Sequence, residues 1–346
     1  MPKIRTLDLF SGIGGHALAL RDVAKPVAYC EIDPFSNSVL LARMEDGQLP
    51  KAPVFDDVRT LNCKQLRGRP TMITASFPCQ DVSIVRPGKK LGIKGNKSGL
   101  YFQILRLVDE LADIDTVLME NSPNIRNVAD GLKRIESDFK KRGFKVISGT
   151  FAASDVGARH IRRRWYCLAV RPGAESPKIL SIMSHPYVHN FVRPERSLPR
   201  LAKKTDGYTE RIQALGNAVV PQVVTLALRV LSNHALYGGD KMVTDLDREW
   251  DDDTVNRVKY PLLEIPDKRV TSMWPTPVHS KGALYVTINP VDKWNQNHHN
   301  FATRVFHDRL TLEKYGDDII SLRGTHTVNP TWTEALMGFP KNWTKS

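Results

Sequence analysis

The chain has 346 residues, of which 41% are hydrophobic and 25% charged, so it can bury a full core in a large domain plus a smaller one and has the composition of a soluble globular protein. No apolar run approaches the roughly 20 residues of a membrane span, Met1-Pro2-Lys3-Ile4 leads into a strand rather than a signal peptide, and the four cysteines (Cys30, Cys63, Cys79, Cys167) lack the paired spacing of a disulfide framework or a zinc site. The net charge is +13, with 36 basic and 23 acidic residues in 1–240 against 14 of each in 241–346, so the whole excess sits in the first part; it suits a polyanion such as nucleic acid, and suits mere solubility about as well.

Arg5 to Phe10 reads as a short apolar strand running into Ser11-Gly12-Ile13-Gly14-Gly15, with a helical stretch from His16 to Val23. Strand, glycine turn and helix make a cofactor cradle, because glycines allow close backbone approach; by itself the pattern is equally a tight structural turn. A second strand, Val27 to Cys30, ends in Glu31-Ile32-Asp33, where an acid suits hydrogen bonding to ribose hydroxyls. Asp56-Asp57 form a third acidic stop before Val58. Each acid alone could cap a helix; the series favours a nucleoside-bearing cofactor at one edge of a doubly wound sheet.

The apolar run Met72 to Ala75 ends in Ser76-Phe77-Pro78-Cys79-Gln80, a thiol at the lip of a buried strand. After Asp81, the loop to Gly99 has no acid but holds Arg86, Lys89, Lys90, Lys94 and Lys97 among four glycines, a composition able to fold over a phosphate backbone. Leu100 to Leu111 reads as a helix, and Thr116 to Met119 as a buried strand ending in Glu120-Asn121-Ser122-Pro123. A basic helix spans Val128–Arg142, and Lys145 to Ser148 is a further strand. In a strand from Ile161, Arg162 and Arg164 share one face, either as an anion or base clamp or as a solvated pair. Residues 171–206 are rich in Pro, Arg and His; Gln222 to Leu231 is an apolar core helix. Asp240 to Asp253 is an acidic linker, and the stretch beyond shows no metal-ligand spacing apart from His298-His299, so no metal site is expected.

A nucleoside-cofactor edge, a strand-end thiol, a strand-end carboxylate and paired arginines suit methyl transfer to a poorly nucleophilic ring carbon. A thiolate added at a pyrimidine C6 makes an enamine whose C5 attacks a sulfonium methyl. The sequence resembles the DNA (cytosine-5) methyltransferases of bacteria and phages, in motifs ordered from about residue 5 to 222. Asp8 to Gly15 match the first motif, Phe77-Pro78-Cys79-Gln80 the nucleophile motif, and Met119-Glu120-Asn121 the glutamate motif. Arg162 and Arg164 match the arginine motif, and Leu215 to Pro221 the last.

The resemblance implies a Rossmann-like doubly wound α/β sheet of the class I methyltransferase type, with a smaller DNA-recognition domain. It implies catalysis by Cys79, Glu120, Arg162 and Arg164. It implies S-adenosylmethionine held by Phe10, Ser11, Gly12, Gly14, Gly15, Glu31, Ile32, Asp57, Pro78, Leu100, Asn217 and Val219. Gln80, Ser83, Arg86, Lys89, Lys90, Lys94 and Lys97 are the implied DNA contacts. The expected partner is double-stranded DNA, bound by a cytoplasmic monomer in a prokaryotic cell or a phage-infected host, with a cognate restriction endonuclease as a candidate companion and no membrane.

Three features depart from the family pattern: Ser122 where Val is common, Arg159-His160 where Pro-Gln is usual, and a gap from Ala169 to Glu210 of only 42 residues, too short for a sizeable reader. Trp274-Pro275-Thr276-Pro277 and Asn329 to Pro340 resemble segments that many members place inside that gap. The expected layout is therefore a catalytic domain over 1–240 and a small recognition domain over 254–346, with 171–206 a candidate addition to the latter. A tRNA-methylating relative shares the chemistry. A catalytically idle DNA-binding protein leaves the complete residue set without purpose, and a nicotinamide oxidoreductase leaves Cys79 and Arg162 unexplained.

Overall fold

The computed structural model describes residues 3–78, 100–126, 131–158, 160, 162–173, 198–199, 201–203, 205–237 and 326–346. Its strands are β1 (Ile4–Leu9), β2 (Ala24–Cys30), β3 (Val54–Phe55), β4 (Met72–Ala75), β5 (Thr116–Asn121), β6 (Lys145–Phe151), β7 (Arg164–Val170), β8 (Leu201–Lys203) and β9 (His326–Val328). Its α-helices are α1 (Gly15–Leu20), α2 (Pro34–Glu45), α3 (Tyr101–Glu110), α4 (Gly131–Lys140), α5 (Tyr208–Asn217), α6 (Pro221–Tyr237) and α7 (Pro330–Leu336).

Seven strands form one sheet in the order β3-β2-β1-β4-β5-β7-β6, with β7 antiparallel to both β5 and β6. The ladders from β3 across to β5 are parallel. This is the expected doubly wound architecture, and its strands are near-continuous apolar runs because helices cover both faces. Alternation along the strands divides the core. Leu7, Leu9, Ile73, Ala75, Val117 and Met119 face one apolar cluster with α3 and Phe139 of α4. Met72, Leu118, Tyr166 and Leu168 face the other, shared with α1, α5 and α6. The strand order reverses between β1 and β4, so their carboxyl ends open a crevice, the usual ligand position in such sheets.

Several elements differ from the sequence reading. The helix α2 was not anticipated; Asp33 caps it by accepting the Ser36 N–H at 2.8 Å, and Pro34 occupies its first turn. The strand expected from Ile161 begins at Arg164, because Arg162 takes a left-handed backbone (φ 24°) and pairing with β6 starts only at Arg164. The helical stretch Tyr208–Ala235 is long and apolar enough to span a membrane by composition, but it is mostly buried and forms core helices α5 and α6, which are separate elements.

The larger difference lies at the C-terminus. Residues 326–346, expected in the small domain, belong to the core of the large one. Met337, Phe339 and Trp343 join the cluster formed by α1, α5 and α6. The fully buried Glu334 pairs with Arg211 of α5 at 2.9 Å and accepts the Thr344 N–H at 2.9 Å. β9 pairs antiparallel with β8, Leu201 opposite Val328. The last 21 residues of the expected 254–346 domain thus pack into the core that α1, α5 and α6 share.

Two stability predictions follow from this packing. Burying a large apolar side chain contributes ~1.5–3 kcal/mol, so losing Trp332, Leu336, Met337, Phe339 and Trp343 together removes an amount comparable to the whole stability of a domain. A chain ending at residue 325 is expected to lose its cooperative thermal transition by circular dichroism; a retained sharp transition contradicts the docking. Beneath the glycine turn, buried Asp8 accepts the Thr74 hydroxyl at 2.6 Å and lies 3.8 Å from His16 Nδ1. Burial, with a contribution from Glu31, raises the Asp8 carboxyl to about 7, and burial lowers the His16 imidazole to about 4. Folded and unfolded pairs therefore each hold one proton between about pH 4 and 6.5, and their pH dependences offset. In His16→Leu only the raised Asp8 carboxyl remains, a group more protonated folded than unfolded. The share of stability carried by its proton is then complete below about pH 4 and lost toward pH 7, on the order of a few kcal/mol. Urea melts at pH 4.5 and 7 on the variant and the parent measure the difference.

Candidate active site at the carboxyl ends of the central strands

Beyond β1 the chain turns sharply through Phe10 (φ 54°), Gly12 (φ 54°) and Gly14 (φ 82°) before α1 begins. A Cβ built on Gly12 meets nothing within 4 Å, so this turn leaves open space at the crevice, where a ligand can approach the backbone. Gly15 is required for another reason: its Cβ would lie 2.5 Å from Val219 Cγ2, so the turn and the α5–α6 junction pack backbone to side chain.

Glu31, at the end of β2, is fastened to that turn. Its Oε2 accepts the Gly12 N–H at 2.7 Å, and its Oε1 accepts the Asp33 N–H at 2.8 Å. Burial raises its pKa, and the two N–H donors oppose the rise. Ile32 beside it is an apolar side chain left 64% exposed, which fits a surface awaiting a flat ring. Asp57, after β3, is half-buried and gripped by Arg59, whose Nε lies 2.9 Å from Oδ2 and holds the carboxyl below its usual range. Arg59 was not singled out in the sequence; an acid two residues before an arginine gives no signal of which partner it will take. A buried-edge acid, a bare glycine turn and an exposed apolar residue fit an adenosine-type cofactor. Leu100 is partly buried against the α3-side core, and Pro78 is half-exposed at the end of the segment after β4.

Cys79, Gln80, Ser83, Arg86, Lys89, Lys90, Lys94 and Lys97 lie outside the described residues. What leads up to the thiol is described. Asn121, at the end of β5, donates from Nδ2 to the Phe77 carbonyl at 3.1 Å, and its Oδ1 accepts the Ser122 N–H at 2.7 Å. Asn121 thereby fixes the backbone two residues before Cys79. It was read as part of a motif but not as a site residue; a buried amide directly after a strand-end glutamate was the available signal.

Glu120 is buried on the face opposite Met119, with Arg164 Nε 3.1 Å from its Oε1. Arg164 also donates to the Arg163 carbonyl at 2.8 Å, which fixes its guanidinium. Glu120 and Tyr166 are cross-strand partners, and burial with the Glu120 charge pushes the Tyr166 phenol well up.

Arg162 does not share this face. It is buried and donates from one terminal nitrogen to the carbonyls of Gly216 (2.9 Å) and Ala218 (2.5 Å), on either side of exposed Asn217. His160, fully buried, holds the Leu336 carbonyl through Nε2 at 3.0 Å. Burial lowers its imidazole to about 3, so it is neutral. The expected clamp of two arginines therefore divides. Arg164 orients the glutamate, and Arg162 braces the turn that carries Asn217 and Val219. Among the described residues no group of His, Cys, Asp and Glu could hold a metal ion.

A family model for C-5 cytosine-specific DNA methylases matches residues 4–346. The chain is 34% identical over 178 residues to the Type II methyltransferase M.CviJI of Paramecium bursaria Chlorella virus IL3A, a match covering 51% of this chain and 46% of that one. It is 29% identical over 171 residues to M.HhaI of Haemophilus parahaemolyticus, covering 49% of each. The chain spans about half the length of the curated relatives it matches. Among solved structures, a mutant of Spodoptera frugiperda DNMT2 overlaps 51% of this chain and 52% of its own at 25% identity, with a TM-score of 0.41, too loose an overlap to weigh. With a family match that runs from the first strand through the docked C-terminus, the chain belongs to the C-5 cytosine-specific DNA methylases.

Proposed function

We propose that the protein transfers a methyl group from S-adenosylmethionine to C5 of a cytosine swung out of double-stranded DNA. The observation that carries this reading is the gathering, at one sheet edge, of the Gly12–Glu31 cradle, the Asn121-held Phe77 carbonyl and the Arg164-held Glu120. Gly12, Glu31 and Ile32, with Asp57 and Asn217 nearby in the fold order, are the residues that would hold the cofactor. Bound there, S-adenosylmethionine supplies an electrophilic sulfonium methyl.

The Cys79 thiolate adds to C6, forming the S–C6 bond as the C5–C6 π electrons become available at C5. Once C5 carries the methyl, its proton leaves to a base and the S–C6 bond breaks, which restores the ring and the thiolate. Glu120, oriented by Arg164, holds the ring N3 and exocyclic amino group, drawing electrons that way. A cysteine near neutral pH is only a few per cent thiolate, so the cations of the 81–99 loop assist. That loop, with Gln80, Ser83, Arg86, Lys89, Lys90, Lys94 and Lys97, is assigned the DNA backbone and the gap left by the flipped base, whose extrusion costs a few kcal/mol. Arg162 supports the base indirectly, through the 216–218 turn. DNA reading is assigned to 254–325, with 171–206 as a candidate contributor.

The Type II methyltransferase names of the relatives support a DNA-modification role. The proposal extends to a monomer in the cytoplasm of a prokaryotic or phage-infected cell, with a cognate endonuclease as companion. Bisulfite sequencing of plasmid DNA from expressing cells is expected to reveal methylated cytosines in one sequence context; methyl transfer to tRNA but not to duplex DNA replaces this reading with the RNA one. A duplex carrying 5-fluorocytosine in that context is expected to trap a denaturation-resistant complex with the wild type and none with Cys79→Ala. A complex persisting in that variant moves the nucleophile elsewhere. Glu120→Gln is expected to lower kcat by about 10²–10⁴-fold, the usual range for a group acting on the transition state's protons.

A further inference from the structure

The cofactor turn is held from below by the C-terminal segment. The peptide unit between Ile13 and Gly14 is bonded at both ends. Its N–H, on Gly14, donates to the Ser11 carbonyl at 2.9 Å. Its carbonyl, on Ile13, accepts the indole N–H of Trp343 at 2.8 Å. Both Ile13 and Trp343 are buried from water, so this carbonyl has no competing solvent partner. In the residue before Ile13, the Gly12 N–H is committed to Glu31 at 2.7 Å.

Trp343 is itself fixed. Its ring packs on Phe339, centroids 5.5 Å apart, and the guanidinium of Arg43 sits 5.8 Å from its centroid. Arg43 also donates to the carbonyls of Asn342 and Trp343, both at 2.7 Å, and of Lys345 at 3.2 Å. Arg43 belongs to α2, the helix that follows Glu31 in the chain. The contacts therefore close a ring: Glu31 to Gly12, Ile13 to Trp343, Trp343 to Arg43, and α2 back to Glu31.

We infer that Trp343 is a positioning residue for cofactor binding: its indole N–H sets the peptide plane of the glycine turn, so the turn is formed before the cofactor arrives. The inference rests on the crevice being the S-adenosylmethionine site. A loop already held in its bound conformation has less ordering to do on binding, so loosening it weakens the affinity and leaves the reaction of the bound complex alone. A single buried hydrogen bond of this kind contributes about 0.5–1.5 kcal/mol net, which corresponds to a change of roughly two- to tenfold.

The test uses the full chain and titrates S-adenosylmethionine by calorimetry. Trp343→Phe keeps a ring and removes the donor. It is expected to raise the cofactor Kd and KM by about two- to tenfold while kcat at saturating cofactor stays within twofold. Leu231→Ala, on α6, loosens the apolar cluster to which Trp343 also belongs without changing the Trp343 donor or the ring packed on it, and is expected to lower Tm while leaving Kd unchanged. An unchanged Kd in Trp343→Phe overturns the inference, and so does an equal rise in Leu231→Ala, which makes the effect general packing. Wild-type protein that binds no S-adenosylmethionine sinks the proposed function instead. Should Trp343→Phe fail to fold, hydrogen exchange on the wild type decides. The cofactor must slow exchange at residues 12–15 and 339–345 together; protection of the turn alone overturns the inference.

Discussion

A parallel sheet covered on both faces can offer chemistry only where its strands stop, and in this chain the stop after β1 governs the rest. Three residues within five positions, Phe10, Gly12 and Gly14, take left-handed backbone conformations. Left-handed backbone is unfavourable for the side-chain-bearing Phe10, so the turn must be over-determined by its surroundings. It is. Ser11 bonds back to Asp8 at 2.7 Å, Gly12 is tied to Glu31, and Ile13 to Trp343. Each tie comes from a different part of the sequence, so the turn is correct only when β1, β2 and the C-terminal segment are all in place.

That dependence explains why the end of the chain belongs to its beginning. Glu334 has no access to water, and a carboxylate in that position is tolerable only when charge-assisted partners replace its hydration. Arg211, from the helix leading to Asn217, and Thr344 supply them. The pair is thus a register device: only the docked position of α7 against α5 neutralises both partners. A solvent-facing recognition module has no need of such a device, whereas a segment that arrives late in the chain and must complete an existing core does.

The large domain was legible because its signals are local. Apolar runs of four to seven residues, each stopped by glycine or an acid, specify buried parallel strands and put Gly12, Glu31 and Glu120 at their ends without reference to distant parts. The packing of the tail is not legible, for the opposite reason. Trp343 and Glu334 owe their places to Ile13 and Arg211, residues more than a hundred positions away, and nothing in the local pattern of 326–346 distinguishes an amphipathic reader from a core segment. The arginine pair failed similarly. Alternation correctly states that residues two apart share a strand face, but it presumes a strand, and Arg162 sits before the strand with a positive φ.

The separation of the two arginines carries a physical consequence. Arg164 meets the Glu120 carboxylate directly, so its contribution is electrostatic. Arg162 donates to the carbonyls of Gly216 and Ala218, so it fixes where Asn217 and Val219 stand, and through Val219 it reaches Gly15 of the glycine turn. His160 holds the carbonyl of Leu336 and so ties the C-terminal segment in as well. His160, Arg162 and Arg164 therefore touch the C-terminal segment, the 216–218 backbone and Glu120 in succession. The Glu120 end of β5 and the glycine turn after β1 are consequently two ends of one braced unit, and neither can shift without straining backbone contacts that the other relies on.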